Sequence, residues 1–425
     1  MTAHSPSGPD ISITGVWERP AAHHLGDTNT LMVTITTSMP DPRHRERLPI
    51  DLALVLDRSG SMAGEKLALV KQAILEAVEH LGPEDTFSVV MFESAVQELV
   101  MPTPGTADSR QRLAAALREV QAGGGTNLHG GWLTGCEHLG TLMRWEGIPH
   151  VHRTVVLTDG LANVGITDPH ALTVQADALR QRGITTSTMG VGFGFNEVLL
   201  SSMAEAGGGT FAYISRPHEL MEFFHREVCG LLDVALPQPR LTLTLPPGMH
   251  ATLVNPFPVR QDGMDLVIDL RDLTAMDTLT LVLDATLAPG EPGMLPAPRA
   301  KIELPHSPGT HGRLLTSFDP LPLVSMGEAE GVSADRDVQV QAARLRADRH
   351  HRDAMRLDRE GRVDEAREIL GKAAMMLAAA PLTEDIVAEQ DETLYLFESV
   401  GRLGENARKA RVYRAMRRSR GHASP

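Results

Sequence analysis

Three short motifs carry oxygen-bearing side chains that could together bind a hard cation. The first has the pattern DxSxS and contains Asp57, Ser59 and Ser61; the second, GGGTN at 123–127, contains Thr126; the third, TDG at 158–160, contains Asp159. Mg²⁺ prefers about six oxygen ligands in octahedral geometry and retains some of its waters, which suits two carboxylates and three hydroxyls. Since hydroxyls are neutral, the ion would keep positive charge, and a carboxylate from another molecule could occupy an open position. The motifs therefore predict a Mg²⁺ (or Mn²⁺) site.

The elements around these motifs alternate between strands and helices, and each motif follows a strand or opens a helix. DLALVLD at 51–57 and HRTVVLT at 152–158 are short, apolar and followed by turn residues, as in buried strands. Strands that alternate with helices indicate a largely parallel sheet covered on both faces. The carboxyl edge of such a sheet is where ligands bind, so we expect the three motifs to meet there. The predicted strands are 51–57, 86–92, 95–100, 152–158, 184–191 and 209–214, and the predicted helices 64–81, 107–120, 129–143, 168–182, 196–206 and 217–232.

Residues on both sides of this unit alternate apolar and polar side chains, as half-buried strands do. The segment 10–48 offers too few strands to fold alone, whereas 236–305 offers about four more. The predicted fold is therefore a doubly wound α/β domain at 50–232, inserted into an antiparallel β-sandwich built from 10–48 and 236–317. A Pro/Gly/Ser-rich link around 305–333 should lead to a C-terminal α-helical region at 335–419.

The order and spacing of DxSxS, GGGTN and TDG resemble the von Willebrand factor A family over residues 50–232. The resemblance implies a metal-ion-dependent adhesion site, in which Ser59, Ser61 and Thr126 would contact the metal and Asp57 and Asp159 would bind it directly or through water. It also implies a binding protein that is not an enzyme. The layout of an A-type domain between strands is loosely similar to bacterial intracellular members and to inter-α-inhibitor heavy chains. Intracellular members often work with AAA+ ATPases, as in magnesium chelatase, so the implied partner is a protein, with an AAA+ ATPase as one candidate, that offers Asp or Glu to the metal.

Two other functions remain open from the residues alone. A metal-assisted hydrolase could use the same ion, with Glu65 and His129 as the acid or base groups closest to the motifs. A structural scaffold with an unused metal site is the other alternative, although five retained ligands argue against it.

Composition limits the classes of molecule that the protein could bind and the cellular compartment in which it could be located. A formal net charge of −14 argues against binding nucleic acid or an anionic membrane. No run approaches the ~20 apolar residues of a membrane helix, and the N-terminus lacks a basic segment followed by an apolar one. Cys136 and Cys229 are the two cysteines, and we expect both to be reduced, partly buried thiols on helices. These features predict a cytoplasmic protein.

Several charged or metal-binding side chains are expected to be solvated rather than functional. The pairs His23-His24 and His350-His351 lie on polar segments, where adjacent histidines usually face water. The basic run at 402–420 is expected to be a solvated, cationic helix end.

Overall fold

The computed structural model describes residues 11–38, 47–143, 150–192, 194–214, 219–305, 314–402, 409–411 and 413–414. Predicted features at other positions, including much of the basic C-terminal run, lie outside the described residues. The first elements of the described residues are three strands: β1 (Ile11–Trp17), β2 (Ala22–His23) and β3 (Asp27–Thr37).

A six-stranded sheet with helices on both faces follows, as the alternation of strand and helix predicts. Its strands lie in the order β6-β5-β4-β7-β8-β9, and every neighbouring pair is parallel except β5 and β6. The strands are β4 (Ile50–Asp57), β5 (Thr86–Phe92), β6 (Val96–Pro104), β7 (Val151–Thr158), β8 (Ile184–Val191) and β9 (Gly208–Ile214). The helices are α1 (Glu65–Glu79), α2 (Ala107–Glu119), α3 (Leu128–Leu142), α4 (Pro169–Arg180), α5 (Glu197–Ala206) and α6 (Glu219–Leu232).

The central strand β4 is buried along its whole length because helices cover both faces of the sheet. Leu54 and Leu56 belong to the core under α1, α2 and α6, whereas Ala53 and Val55 belong to the core under α3, α4 and α5. Helix α3 lies very close to the sheet, since a Cβ on Gly135 would come within 2.4 Å of Val55 Cγ2. This close packing holds the start of α3 beside the end of β4.

The strands before and after the α/β unit pair with one another. In a four-stranded sheet of order β1-β3-β16-β12, ten residues of β3 pair with β16, from Asp27–Leu287 to Thr36–Thr278. A five-stranded sheet has the order β13-β14-β11-β18-β19. One hydrophobic core joins side chains of β1 and β3 to those of both sheets. The later strands are β10 (Val234–Leu236), β11 (Arg240–Thr244), β12 (Met249–Leu253), β13 (Val259–Asp262), β14 (Asp265–Asp269), β15 (Leu273–Thr274), β16 (Thr278–Leu287), β17 (Gly293–Leu295), β18 (Arg299–Glu303), β19 (Leu314–Ser317) and β20 (Leu321–Val324).

The Pro/Gly/Ser-rich link predicted around 305–333 contains β19 in its first half, which lies within the predicted sandwich range of 236–317. The prediction was wrong in its second half, because that part contains β20 and the helix α7 (Met326–Glu330). Strand β20 pairs with β17 and with β2 from the beginning of the chain, so its partners are remote in sequence. The helical region then consists of α8 (Arg336–Arg359), α9 (Val363–Ala379) and α10 (Glu384–Ser399). Helix α8 packs on α9 and also against β3 and β16, which attaches the helical region to the strands.

Ion pairs join the α/β unit to its surroundings. Arg153 of β7 is buried and contacts Glu227 of α6 at 3.2 Å and Asp272, which lies between β14 and β15.

At the start of β4, within the α/β unit, the buried Asp51 carboxylate lies 3.0 Å from the Nδ1 atoms of both His150 and His152. Burial favours a raised pKa for Asp51, but the contacts with the two histidines outweigh it and lower the pKa to about 2.

Two predictions of solvated side chains were wrong. His351 is buried, and its Nε2 lies 2.8 Å from Thr393 Oγ1 of α10. Lys409, in the basic C-terminal run, is also buried and lies over the ring of Phe195 at 4.2 Å. Arg411 contacts Glu392 at 2.7 Å, so Lys409 and Arg411 pack against the fold, whereas Arg402 of the same run is exposed as expected.

The two thiols are placed on helices, as expected: Cys136 is buried on α3, Cys229 is half-buried on α6, and both are free. Within the described part of the chain, no helix combines the length and the apolar character needed to cross a bilayer.

Candidate functional site

The three motifs lie next to one another at the carboxyl edge of the six-stranded sheet. Strands β4 and β7 are parallel neighbours, so the DxSxS loop after β4 and the TDG loop after β7 emerge side by side. After β4 the chain continues to β5, which lies on one side of β4 in the sheet, whereas β7, β8 and β9 lie on the other side. This is the switch point at which open α/β sheets form a ligand crevice.

Asp57, the last residue of β4, is fully buried and held by two hydrogen bonds. Its Oδ1 accepts from the Ser59 backbone N–H at 2.7 Å, and its Oδ2 accepts from Thr158 Oγ1 at 2.5 Å. Burial raises the pKa of the Asp57 carboxyl and the nearby charge of Asp159 raises it further, while the hydrogen bonds from Thr158 and Ser59 lower it. A buried carboxylate beside a second carboxylate is an environment that a cation would stabilise.

The two serines connect Asp57 to Asp159. Ser59 Oγ lies 3.1 Å from Ser61 Oγ, and the Ser61 hydroxyl donates to Asp159 Oδ1 at 2.6 Å. The other oxygen of Asp159 forms an ion pair with Lys66 Nζ, which also lies 3.3 Å from the Ser61 carbonyl oxygen. Asp159 and Ser59 are buried but Ser61 is exposed, so the group opens to solvent on the Ser61 side.

Thr126 reaches the same point from the Gly-rich loop. Its backbone N–H donates to Asn163 Oδ1 at 2.8 Å, and its carbonyl accepts from the Asn163 N–H at 3.1 Å. Gly124 in this loop has φ +73°, a conformation that glycine adopts without strain. A Cβ on Gly160 would lie 3.4 Å from Thr126 Oγ1 and 3.6 Å from Ser61 Oγ, so the two hydroxyls face one position.

The structure therefore brings all five predicted side chains into one group of hard oxygen donors. Two carboxylates and three hydroxyls fit Mg²⁺ or Mn²⁺ by donor chemistry, and the site remains partly open for a further ligand. Metal binding itself stays a prediction.

Three contributors were missed by the sequence reasoning. Thr158 directly precedes Asp159 in the TDG motif, and the motif itself could have identified it as a hydrogen-bond donor to Asp57. Asn163 orients Thr126, and Lys66 pairs with Asp159 from the first turn of α1. The local sequence has no signal for these two contacts, because they depend on how the loops pack.

The two residues considered for a hydrolase are not part of this group of contacts. Glu65 is exposed at the start of α1, and His129 on α3 lies with its Nε2 3.0 Å from Gln175 Oε1 of α4. Neither has a described hydrogen bond to the five oxygen-bearing side chains.

Comparison with known proteins supports the same assignment for this unit. The family model of the von Willebrand factor type A domain matches residues 51–226. An uncharacterised protein from Synechocystis is 28% identical over 328 residues, which are 75% of this chain and 76% of that protein. Human inter-alpha-trypsin inhibitor heavy chain H4 is 26% identical over 201 residues, which are 46% of this chain but 22% of the heavy chain.

Two solved structures resemble nearly the whole chain. A von Willebrand factor type A protein from Catenulispora acidiphila has a TM-score of 0.75 at 17% identity and covers 98% of both chains. The ArnB paralog VWA2 from Sulfolobus acidocaldarius has a TM-score of 0.59 at 16% identity and covers 96% of this chain and 98% of that one. At these identities the likeness shows a shared fold.

Proposed function

Residues 51–226 form a von Willebrand factor type A domain, and from this premise we propose that the protein is a Mg²⁺-dependent protein-interaction module. The domain family consists mostly of interaction and adhesion modules. Asp57, Ser59, Ser61, Thr126 and Asp159 would hold the metal. When bound, the metal supplies positive charge that attracts a carboxylate of a partner protein.

The observation that carries this proposal is the contact of three motifs, remote in sequence, around two carboxylates. Ser61 bridges from the DxSxS loop to Asp159, across ninety-eight residues of sequence, at 2.6 Å. Asp159 also forms an ion pair with the ammonium of the half-buried Lys66. This pairing supports the proposal, since it places a positive charge beside the two carboxylates.

The surroundings of the site support a protein partner. Leu161 follows Asp159 by two residues and is 57% exposed, and Ile166 farther along the same loop is 39% exposed. The centre of a protein interface is more apolar than its rim, so exposed apolar side chains beside the site offer a surface that a partner would cover. An acidic side chain of the partner, Asp or Glu, would reach the metal while apolar groups cover Leu161.

The arrangement of the domains and the cellular location of the protein are also part of this proposal. We infer that the A-type domain is an insert in a β-sandwich whose halves are 10–48 and 236–317, because β3 pairs with β16 across the domain. The two free cysteines suit a reducing compartment, so the proposed location is the cytoplasm, where an AAA+ ATPase is one candidate partner class.

Calorimetry and partner capture test the function separately. Titration of the apo protein with Mg²⁺ should give one site per chain, and Asp57→Ala should abolish the heat because it removes a buried ligand. Equal heats in the two proteins would refute the metal assignment.

Partner capture should then require the metal. Wild type should retain a partner in Mg²⁺ and release it in EDTA, and Thr126→Ala should fail to capture it while its thermal unfolding is unchanged. Thr141→Ala, which alters an exposed threonine at the far end of α3, is the matched control and should behave as wild type. Capture of the same partner by Thr126→Ala in Mg²⁺ would contradict an adhesion-site mechanism.

A further inference from the structure

A second cluster of metal-binding side chain types lies at the opposite edge of the six-stranded sheet. It consists of His80, which follows the last residue of α1, and of His225 and Cys229 on α6. Helix α1 starts beside the DxSxS loop and is fifteen residues long, which places its end about 22 Å away from its start. Helices α1 and α6 pack side by side, so the cluster bridges the first and last helices of the domain.

The geometry of this cluster is close to that of a metal site. One ligand atom from each side chain, an imidazole nitrogen or the thiol sulfur, lies within 4.8 Å of the others. Cys229 Sγ is 3.7 Å from the ring nitrogens of His225, which lies one helical turn before it on the same face. The rings of His80 and His225 have centroids 5.0 Å apart and meet edge to face at 67°.

We propose that His80, His225 and Cys229 form a site for a thiophilic transition metal of the Zn²⁺ type. Zn–S and Zn–N bonds of about 2.3 and 2.0–2.1 Å place tetrahedral ligands about 3.3–3.7 Å apart, so small side-chain rotations suffice to close the cluster. Both histidines are exposed and Cys229 is half-buried, so the side chains are free to make this adjustment and the ion has access from solvent. Three protein ligands leave the fourth position for water or another ligand.

This site differs in chemistry from the group of oxygen donors at the other edge. Imidazole and thiolate select Zn²⁺ and similar ions, whereas carboxylates and hydroxyls select Mg²⁺. Burial and the neighbouring Asp233 carboxylate raise the pKa of the Cys229 thiol. The metal-free group is therefore the neutral thiol, and binding releases its proton to solvent as the thiolate–metal bond forms.

A bound ion would join α1 to α6 by a link additional to their hydrophobic contact. The gain in stability follows mass action, since only the folded chain holds the three ligands together. The proposed Zn²⁺ site does not depend on the Mg²⁺ site, and each can be tested separately.

Cobalt spectroscopy of the full-length protein tests the site, because a thiolate–Co²⁺ bond has a charge-transfer band in the near ultraviolet that oxygen ligands do not produce. Stoichiometric Co²⁺ should give this band in wild type and in Asp57→Ala. Cys229→Ser should lose it, and Cys136→Ser should keep it, since Cys136 is buried on α3. Absence of the band in wild type, or its persistence in Cys229→Ser, would overturn the proposal.

Zinc affinity tests the two histidines. Competition against a chromophoric chelator should show His80→Ala and His225→Ala binding Zn²⁺ more than about tenfold more weakly than wild type, because loss of a side chain that merely supports a metal ligand already costs about 10–100-fold in affinity. His250→Ala, an exposed histidine on β12, is the matched control and should bind as wild type does. Equal affinity of His80→Ala and His250→Ala would exclude His80 as a ligand and overturn the three-residue site.

Discussion

Deletion of residues 1–38 should unfold the β-rich part of the chain that begins two hundred residues later. The deletion removes β1 and β3, and β3 lies between β1 and β16 in the middle of its sheet. The deletion ends before Arg47, which forms an ion pair with Asp85 at 2.5 Å, so the α/β unit keeps that contact. A loss of structure in 236–303 would then be caused by the removal of β1 and β3 and not by damage to the α/β unit.

The size of the effect follows from the side chains that β1 and β3 contribute to the shared core. Ile13, Trp17, Leu31, Val33 and Ile35 are all at most 7% exposed. Burial of a large apolar side chain stabilises by about 1.5–3 kcal/mol, so the five together contribute about 7–15 kcal/mol. A domain has about 5–15 kcal/mol of net stability, so the remaining strands should not stay folded.

Hydrogen exchange measured strand by strand is the assay. Strand β14 is the most informative, because it pairs with β11 and β13 and makes no ladder with the deleted strands. Its amides should lose their protection, while those of β8 in the α/β unit should keep theirs. Protection of β14 equal to that in the full chain would refute a shared core.

A point variant in the full-length chain checks the same reasoning without a deletion. Ile35→Ala should cost about 2–5 kcal/mol of unfolding free energy in the β-rich part, because it empties a buried site. Thr28→Ala, exposed on the same strand, should change it by less than about 0.5 kcal/mol. Similar values for the two variants would contradict the role of β3 in the core.

Two further predictions concern buried charges. Arg153→Met leaves the largely buried carboxylates of Glu227 and Asp272 without their cation, so it should lower the free energy of unfolding in urea by about 3–5 kcal/mol. The control Arg112→Met removes a cation from an exposed ion pair and should lower it by less than about 1 kcal/mol. Equal losses in the two variants would contradict this reasoning. The lowered pKa of Asp51, about 2 against an ordinary 3.8, means that its stabilisation is lost as the pH falls from about 4 toward 2. Asp51 also raises the pKa of His150 above the ordinary 6.5, so the stabilisation is again lost at high pH, where His150 loses its proton. Asp51→Asn should therefore be less stable by about 2 kcal/mol between about pH 4 and 6, and should approach wild type near pH 2, as measured by the pH dependence of unfolding. Parallel profiles of the two proteins at all pH values would count against this reasoning.

Local sequence patterns were sufficient for most elements of the α/β unit and for the grouping of the five oxygen-bearing side chains. Strand 184–191 was predicted with the bounds that β8 has, and α2 and α5 end or begin within one residue of the predicted positions. These elements are specified by periodic apolar residues and by caps such as Thr106 and Asn196, which act over a few residues. The five oxygen-bearing side chains could be placed together because the ends of parallel neighbouring strands meet at one edge of a sheet.

Only the tertiary structure decided which remote segments meet. Strands β19 and β20 come from a segment whose Pro and Gly content indicated a link, and β20 gains its place by pairing with β2 and β17. The burial of His351 and Lys409 likewise depends on Thr393 and Phe195, which belong to other elements. The sequence by itself thus determined the helices and strands of the α/β unit and the oxygen-bearing side chains that follow its strands, since both depend on residues close in sequence. Long-range pairing, the contact of Lys66 with Asp159 and the cluster on α1 and α6 depend on how the elements pack, and no local pattern encodes that.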